Sequence, residues 1–255
     1  MRKTSSKQKI AKYHRAVRAA LLPLKNPERA AAMRAYVRDQ FEYLGVGTTE
    51  RRAAVTPLIR AFKPVDAEEL RSAAEGLWAM REREFLYCAA EMLARYQAVL
   101  GLDDLQWLLS LAQQKSWWDS VDSLVKTVGN IVRRSGARGM RAMDAAVRHK
   151  NFWVRRIAML HQLGWRAECD TERLLRYAEL LAMEKEFFIR KAIGWALRDY
   201  AWHDWSVVEK FLSTSGVQFS GLTVREARKN FEALRGSSSA SKLKNRRNQS
   251  SARRV

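Results

Sequence analysis

The chain has 255 residues, with 47 Lys or Arg against 27 Asp or Glu and a formal net charge of +20. Only 12 glycines and 4 prolines interrupt it, which favours helix, and its 2 cysteines suit a reducing cytosol rather than a disulfide framework or a zinc site. No run of about 18 apolar residues and no apolar leader segment is present, so neither a membrane span nor a secretory signal is expected.

The basic charge is unevenly placed. Residues 1–27 carry eight Lys or Arg and no acid, and residues 236–255 carry six and no acid. Such ends add affinity for nucleic acid without choosing a site. Solubility, or attraction to an anionic membrane surface, is the alternative. In a basic chain rich in tryptophan the nucleic-acid reading is favoured.

In chain order, residues 1–8 are expected to be disordered, and Lys9–Leu22 forms the first helix. Asn26 caps a second, which begins at Pro27 and runs past Tyr36 to Tyr43, stopping at Gly45. Thr48 or Thr49 opens a third containing Pro57, and Pro64 ends that unit. Asp66 and Glu69 make a capping-box pattern for a helix through Met80. Further helices follow from Arg83 to Leu100, from Asp103 or Asp104 to Gln114, and from Trp117 to Arg134, with Ser116 as the cap of the last. Met140–His149, Phe152–Leu163 capped by Asn151, Thr171–Met183 capped by Asp170, and Lys185 to Ala201 or Trp202 come next. Asp204 opens another helix through Leu212, and Thr223 with Glu226 marks a final one to Leu234. No alternating strand pattern of useful length occurs. The tail from Gly236 is Ser, Asn, Lys and Arg and is expected to be disordered.

Four of these helices start alike: Arg83-Glu-Phe-Leu, Lys115-Ser-Trp-Trp, Lys150-Asn-Phe-Trp and Lys185-Glu-Phe-Phe. Their starts lie 32, 35 and 35 residues apart, the mark of a stacked repeat. The expected fold is therefore all-α: helix pairs stacked into a curved solenoid over residues 9–235, with a basic concave face.

The repeat exposes one anomaly. The position seven after each basic residue is Ala90, Asp122, Ile157 and Ala192, so one copy places an acid where the others are apolar. A carboxylate there is costly unless paired, hydrated or used. Asp122 is thus either a group that stabilises positive charge and positions water, or half of a clasp to an Arg or Lys of the next repeat. Trp118 lies four residues before it, on the same helix face. Trp118 lines a cleft or fills core, and Trp195, at a position otherwise taken by Leu93, Val125 and Leu160, poses the same choice. Arg155 and Arg156 reach phosphates, pair with Asp122, or sit on a solvated face.

Lys115–Ser123, Phe152-Trp-Val-Arg-Arg156 and Lys185–Arg198 together resemble the bacterial DNA alkylation repair enzymes of the AlkD type, over roughly residues 12–235. The resemblance implies HEAT-like repeats and an alkylpurine DNA glycosylase acting on 7-methylguanine and 3-methyladenine in duplex DNA, without a base-flipping pocket. It implies a catalytic Asp122 helped by Trp118 and Trp195, and DNA contacts from Arg156 and Tyr36. Arg155, Phe187, Phe188, Arg190 and Lys191, in the same motifs, are the further DNA-contact candidates. No metal or other cofactor is implied. The partner is double-stranded DNA, not a membrane; the location is cytoplasmic and nucleoid-associated, and nothing demands more than a monomer. The rival reading is a noncatalytic repeat scaffold that grips distorted DNA or a protein partner.

Overall fold

The computed structural model describes residues 2–234, which contain twelve α-helices and no strand. Residues up to Ala142 form one compact unit and those from Met143 a second. The expected disordered tail lies outside the described residues. The N-terminal expectation is corrected: the first helix, α1 (Arg2–Leu21), is already formed at Arg2. Lys9 and Ser6 fasten it by donating to the Glu69 carboxylate, at 2.7 and 2.9 Å.

The first unit continues with α2 (Pro27–Tyr36), α3 (Thr48–Phe62), α4 (Ala67–Ala79), α5 (Arg83–Tyr96), α6 (Leu105–Leu111) and α7 (Trp118–Arg134). Helix α1 packs on α3 and α4, α4 on α5, and α5 and α6 on α7. Asn26 and Asp66 cap as expected, accepting the amides of Arg29 and Glu69 at 2.8 Å. Helix α7 shows how sequence sets packing. Val121, Leu124, Val125, Val128, Ile131 and Val132 recur at helical spacing and are buried. Each such side chain contributes roughly 1.5–3 kcal/mol relative to exposure.

Helix α2 is shorter than its sequence suggests. It stops at Tyr36, because Arg38 and Asp39 adopt positive φ and the chain turns away. The following segment is then held across the start of α5. Glu84, fully buried, accepts the amides of Leu44, Gly45 and Val46 at 2.8–3.1 Å, and the Glu42 carbonyl accepts the Arg83 amide at 2.8 Å. Gly45 sits at φ +85°, where a Cβ would lie 2.0 Å from the Asn26 carbonyl oxygen, so no other residue fits. Local propensity would have continued the helix; the tertiary clasp wins.

Helix α8 (Gly136–Ala146) spans the division between units. The second unit holds α9 (Phe152–Leu160), α10 (Thr171–Leu180), α11 (Phe187–Thr214) and α12 (Gly221–Arg228). Asn151 and Asp170 cap α9 and α10, accepting the amides of Trp153 and Arg173. Helix α11 breaks at Asp204 (φ −145°, ψ 94°), whose carboxylate accepts the amides of Ser206 and Val207 and so opens a new helical run where expected. The α12 start is a correction: Ser220, not Thr223, is the cap, and Glu226 instead pairs with Arg198 at 2.5 Å. Gly194 lets α12 approach α11, since a Cβ there would meet the Thr223 carbonyl oxygen at 2.7 Å.

Candidate active site

The apolar stripe of α7 faces the core, and Trp118, Asp119, Asp122 and Ser123, outside that stripe in the first two turns, are all half-buried. Trp118 and Asp122 are one turn apart and share one side of the helix, as the spacing predicts. Tyr36, the last residue of α2 and 72% exposed, sets its ring edge-to-face on Trp118 at 5.9 Å. The early end of α2 creates this contact. Had α2 continued to Tyr43, the chain could not have turned directly after Tyr36.

The start of α7 is not held as the sequence suggests. Ser116 does not cap it; its hydroxyl donates to the Ala112 carbonyl at 2.9 Å. Trp117 occupies the cap position, its amide donating to the Ser120 hydroxyl at 3.2 Å. Asp119 does the larger share. Its Oδ2 accepts from Arg83 Nε at 3.0 Å and from the Tyr87 hydroxyl, and its Oδ1 accepts from Arg83 Nη2 at 2.5 Å and the Ser120 amide at 2.8 Å. Arg83 is buried, donates Nη1 to the Lys115 carbonyl at 2.6 Å, and lies over the Phe41 ring at 3.8 Å. Burial and the adjacent Asp119 charge push the Tyr87 phenol far above its ordinary range, so it stays a donor. The bidentate pair therefore fixes α7, and with it Trp118, against α5.

Two of the basic residues that open the repeats, Arg83 and Lys115, hold structure. Lys115, at φ 50°, donates its amine to the Ala79 and Met80 carbonyls at the end of α4. Burial, then the nearby Arg83 charge, lower its pKa. Asp119 and Arg83 were missed as site-building residues. The signal was present: an acid in the first turn of one repeat helix and an arginine at the head of the preceding one.

In the second unit, Arg156 is buried, donates Nη1 to the Phe188 carbonyl at 2.6 Å, and has the rings of Phe188 and Trp195 each at 6.0 Å. Arg156, Trp195 and Phe188 are thus brought together. Arg155 is tied down on its own unit: Nη1 donates to the His149 and Lys150 carbonyls, and Nη2 donates to Glu184 at 3.0 Å. Its Nε lies 2.7 Å from the same carboxylate as an ion pair without a directed hydrogen bond, so the directed bond is the Nη2 one. Arg190 donates Nε to the Glu184 carbonyl at 2.7 Å. Phe152, Trp153, Phe188 and Phe187 form a ladder of rings 4.5–5.3 Å apart, ending at half-exposed Phe187 with the Lys191 amine 5.8 Å from its ring.

Residues 17–231 match the DNA alkylation repair enzyme family. The chain belongs to that family. Among solved structures, it is similar to a protein described as a predicted DNA alkylation repair enzyme from Enterococcus faecalis. That likeness has 31% identity and a TM-score of 0.75, covering 80% of this chain and 95% of that one. At 16% identity and a TM-score of 0.54, it also shares a fold with AlkD2 from Streptococcus mutans, over 77% of this chain and 98% of that one. The same identity and score relate it to the Pseudomonas fluorescens alkylpurine DNA glycosylase AlkC, solved bound to DNA containing an abasic-site analogue, over 88% of this chain and 62% of that one. None of the curated proteins matches it. For this member of the DNA alkylation repair family, the described residues include no group of His, Cys, Asp or Glu able to hold a metal ion and no helix long and apolar enough to cross a membrane.

Proposed function

We propose that the protein is a monofunctional DNA glycosylase that hydrolyses the N-glycosidic bond of cationic N7- and N3-alkylated purines, such as 7-methylguanine and 3-methyladenine, in duplex DNA. The observation that carries this reading is the polar side of α7: an aromatic ring and a carboxylate one turn apart, with the exposed ring of Tyr36 set against the first.

Alkylation at N7 or N3 makes the base a good leaving group, so no general acid is required on it. Departure leaves an oxocarbenium-like sugar that a water must attack. A carboxylate stabilises the first and orients the second, and Asp122 serves both roles. Ring faces attract a positive centre, and Trp118 supplies one beside Asp122. Tyr36, at the exposed edge of Trp118, contacts the DNA backbone. The roles given to Trp195, Arg156, Phe187, Phe188 and Lys191 rest on the family motifs. Arg155 and Arg190, whose guanidiniums are tied to Glu184 and neighbouring carbonyls, reach DNA with their remaining donors. The lesion's own charge supplies selectivity, so a pocket for the reacting base is unnecessary.

The test is single-turnover release of 7-methylguanine from duplex DNA, wild type against Asp122→Asn. Loss of release by a hundredfold or more with DNA affinity kept is expected. Unchanged release in the variant removes Asp122 from the mechanism, and absence of release by the wild type with DNA binding intact favours a noncatalytic scaffold.

A further inference from the structure

The Lys185–Arg198 motif ends at Arg198, yet α11 keeps helical geometry until its break at Asp204. Trp202 sits on that last turn and is 55% exposed, the most exposed of the nine tryptophans. The preceding Tyr200 and Ala201 already fill the core, so packing does not require the indole. Helical phase places it. Seven residues separate Trp195 from Trp202, which leaves them about 20° apart around the helix and about 10.5 Å apart along it. Lys191, one turn before Trp195, falls on the same strip and is exposed. The flanks of the strip are taken. On one side Gly194 admits α12, and Arg198 at the edge pairs with Glu226 at 2.5 Å. On the other, Phe188 packs against Trp153, and Asp199, the one carboxylate between Phe187 and the break, accepts the Gly164 amide at 2.7 Å. Arg198 gives only Nη1 to Glu226, which leaves Nε and Nη2 to face outward between the two indoles.

A single exposed ring is ordinary on a protein surface. A ring in line with Trp195, with cations and no carboxylate on its strip, suits a nucleic-acid backbone, whose phosphates meet the cations and whose sugars offer apolar faces. We propose that Trp202 is a further DNA-positioning residue: its ring lies on the deoxyribose of a paired, stacked nucleotide flanking the reacting one, and Arg198 meets a phosphate between them. The inference rests on the reading that the protein acts on duplex DNA. At about 3.4 Å per step, the contacted nucleotide lies within about three base steps of the lesion. No base leaves the stack for it. One contact at Trp195 leaves the duplex free to pivot, whereas a second on the same rigid helix fixes its direction across the site. Covering the exposed half of an indole, on the order of 100 Å² of apolar surface, less the cost of ordering the contact, corresponds to about tenfold in affinity.

The experiment measures affinity of the full-chain wild type, Trp202→Ala and Trp202→Phe for duplexes carrying a stable abasic-site analogue. One duplex has long flanks on both sides, and two are cut to about one base pair on the 5′ or the 3′ side of the analogue. Trp202→Ala is expected to bind the long duplex and one cut duplex about tenfold more weakly than wild type. On the other cut duplex the two proteins are expected to agree within about twofold, because the nucleotide that the ring meets is gone. Trp202→Phe is expected to recover most of the affinity, and both variants to unfold within about 2 °C of wild type, since the ring lies outside the core. Equal affinity of wild type and Trp202→Ala for the long duplex, or an equal loss on both cut duplexes, overturns the contact alone. A wild type that binds none of the duplexes overturns the DNA reading as well.

Discussion

Replacing Asp119 by Asn tests whether the buried pair at the start of α7 holds the site together. Asp119 meets three donors from α5, namely Nε and Nη2 of Arg83 and the hydroxyl of Tyr87, plus the Ser120 amide. Asn offers one acceptor oxygen, and its amide nitrogen must then face a donor. The Arg83 side chain is 1% exposed, so its charge gains no water in exchange. Breaking a buried ion pair by removing one partner costs about 3–5 kcal/mol. Arg83 keeps the Lys115 carbonyl and the Phe41 ring, which places the expectation at the lower end, about 3 kcal/mol. At about 2–4 °C per kcal/mol for a chain of this size, unfolding followed by circular dichroism should shift down by roughly 6–12 °C. The double variant Arg83→Met, Asp119→Leu removes both charges and should recover most of that loss, because no buried charge is left alone. A loss under about 1 kcal/mol in Asp119→Asn, or a double variant worse than the single, would refute the argument.

Two further perturbations concern buried groups. Glu84→Gln puts an amide nitrogen opposite one of the Leu44, Gly45 and Val46 amides, and should cost about 2–3 kcal/mol and speed hydrogen exchange at those three positions; unchanged exchange would show that the carboxylate does not hold the segment. His161 is buried between Trp165 and Tyr177, and burial pulls its pKa down to about 4. The unfolded chain, with an ordinary value near 6.5, therefore binds the proton first, so stability falls as pH drops from about 6.5 to about 4. At about 1.4 kcal/mol per pH unit of that window, the loss reaches about 3 kcal/mol, and His161→Phe should flatten the profile between those pH values.

Much of the fold was legible because it is local. Asn26, Asp66, Asn151, Asp170 and Asp204 cap helices where their side chains meet amides two or three residues on, and that chemistry needs no partner from elsewhere. The shared face of Trp118 and Asp122 followed from helical spacing alone, since an apolar stripe must turn inward and leaves the rest of α7 outside. The repeat period similarly marked the helices that start at Arg83 and near Trp118, Phe152 and Phe187.

What the sequence could not decide depends on residues far apart in the chain. Nothing near Tyr36 marks the end of α2; the segment that follows it is held from α5 by Glu84 and by the Arg83 amide, about 40 residues on. Asp119 read as a carboxylate suited to a helix start, yet its partners come from another helix, and only packing brings a buried guanidinium to it. A recess beside Trp118 is assembled from α2, α3, α5 and α7, so no single stretch carries its pattern. Periodicity and capping are properties of neighbours along the chain, and the sequence alone settles them. A charge pair or a cavity is a property of neighbours in space, and only the tertiary structure decides which charges meet and which remain open to a ligand.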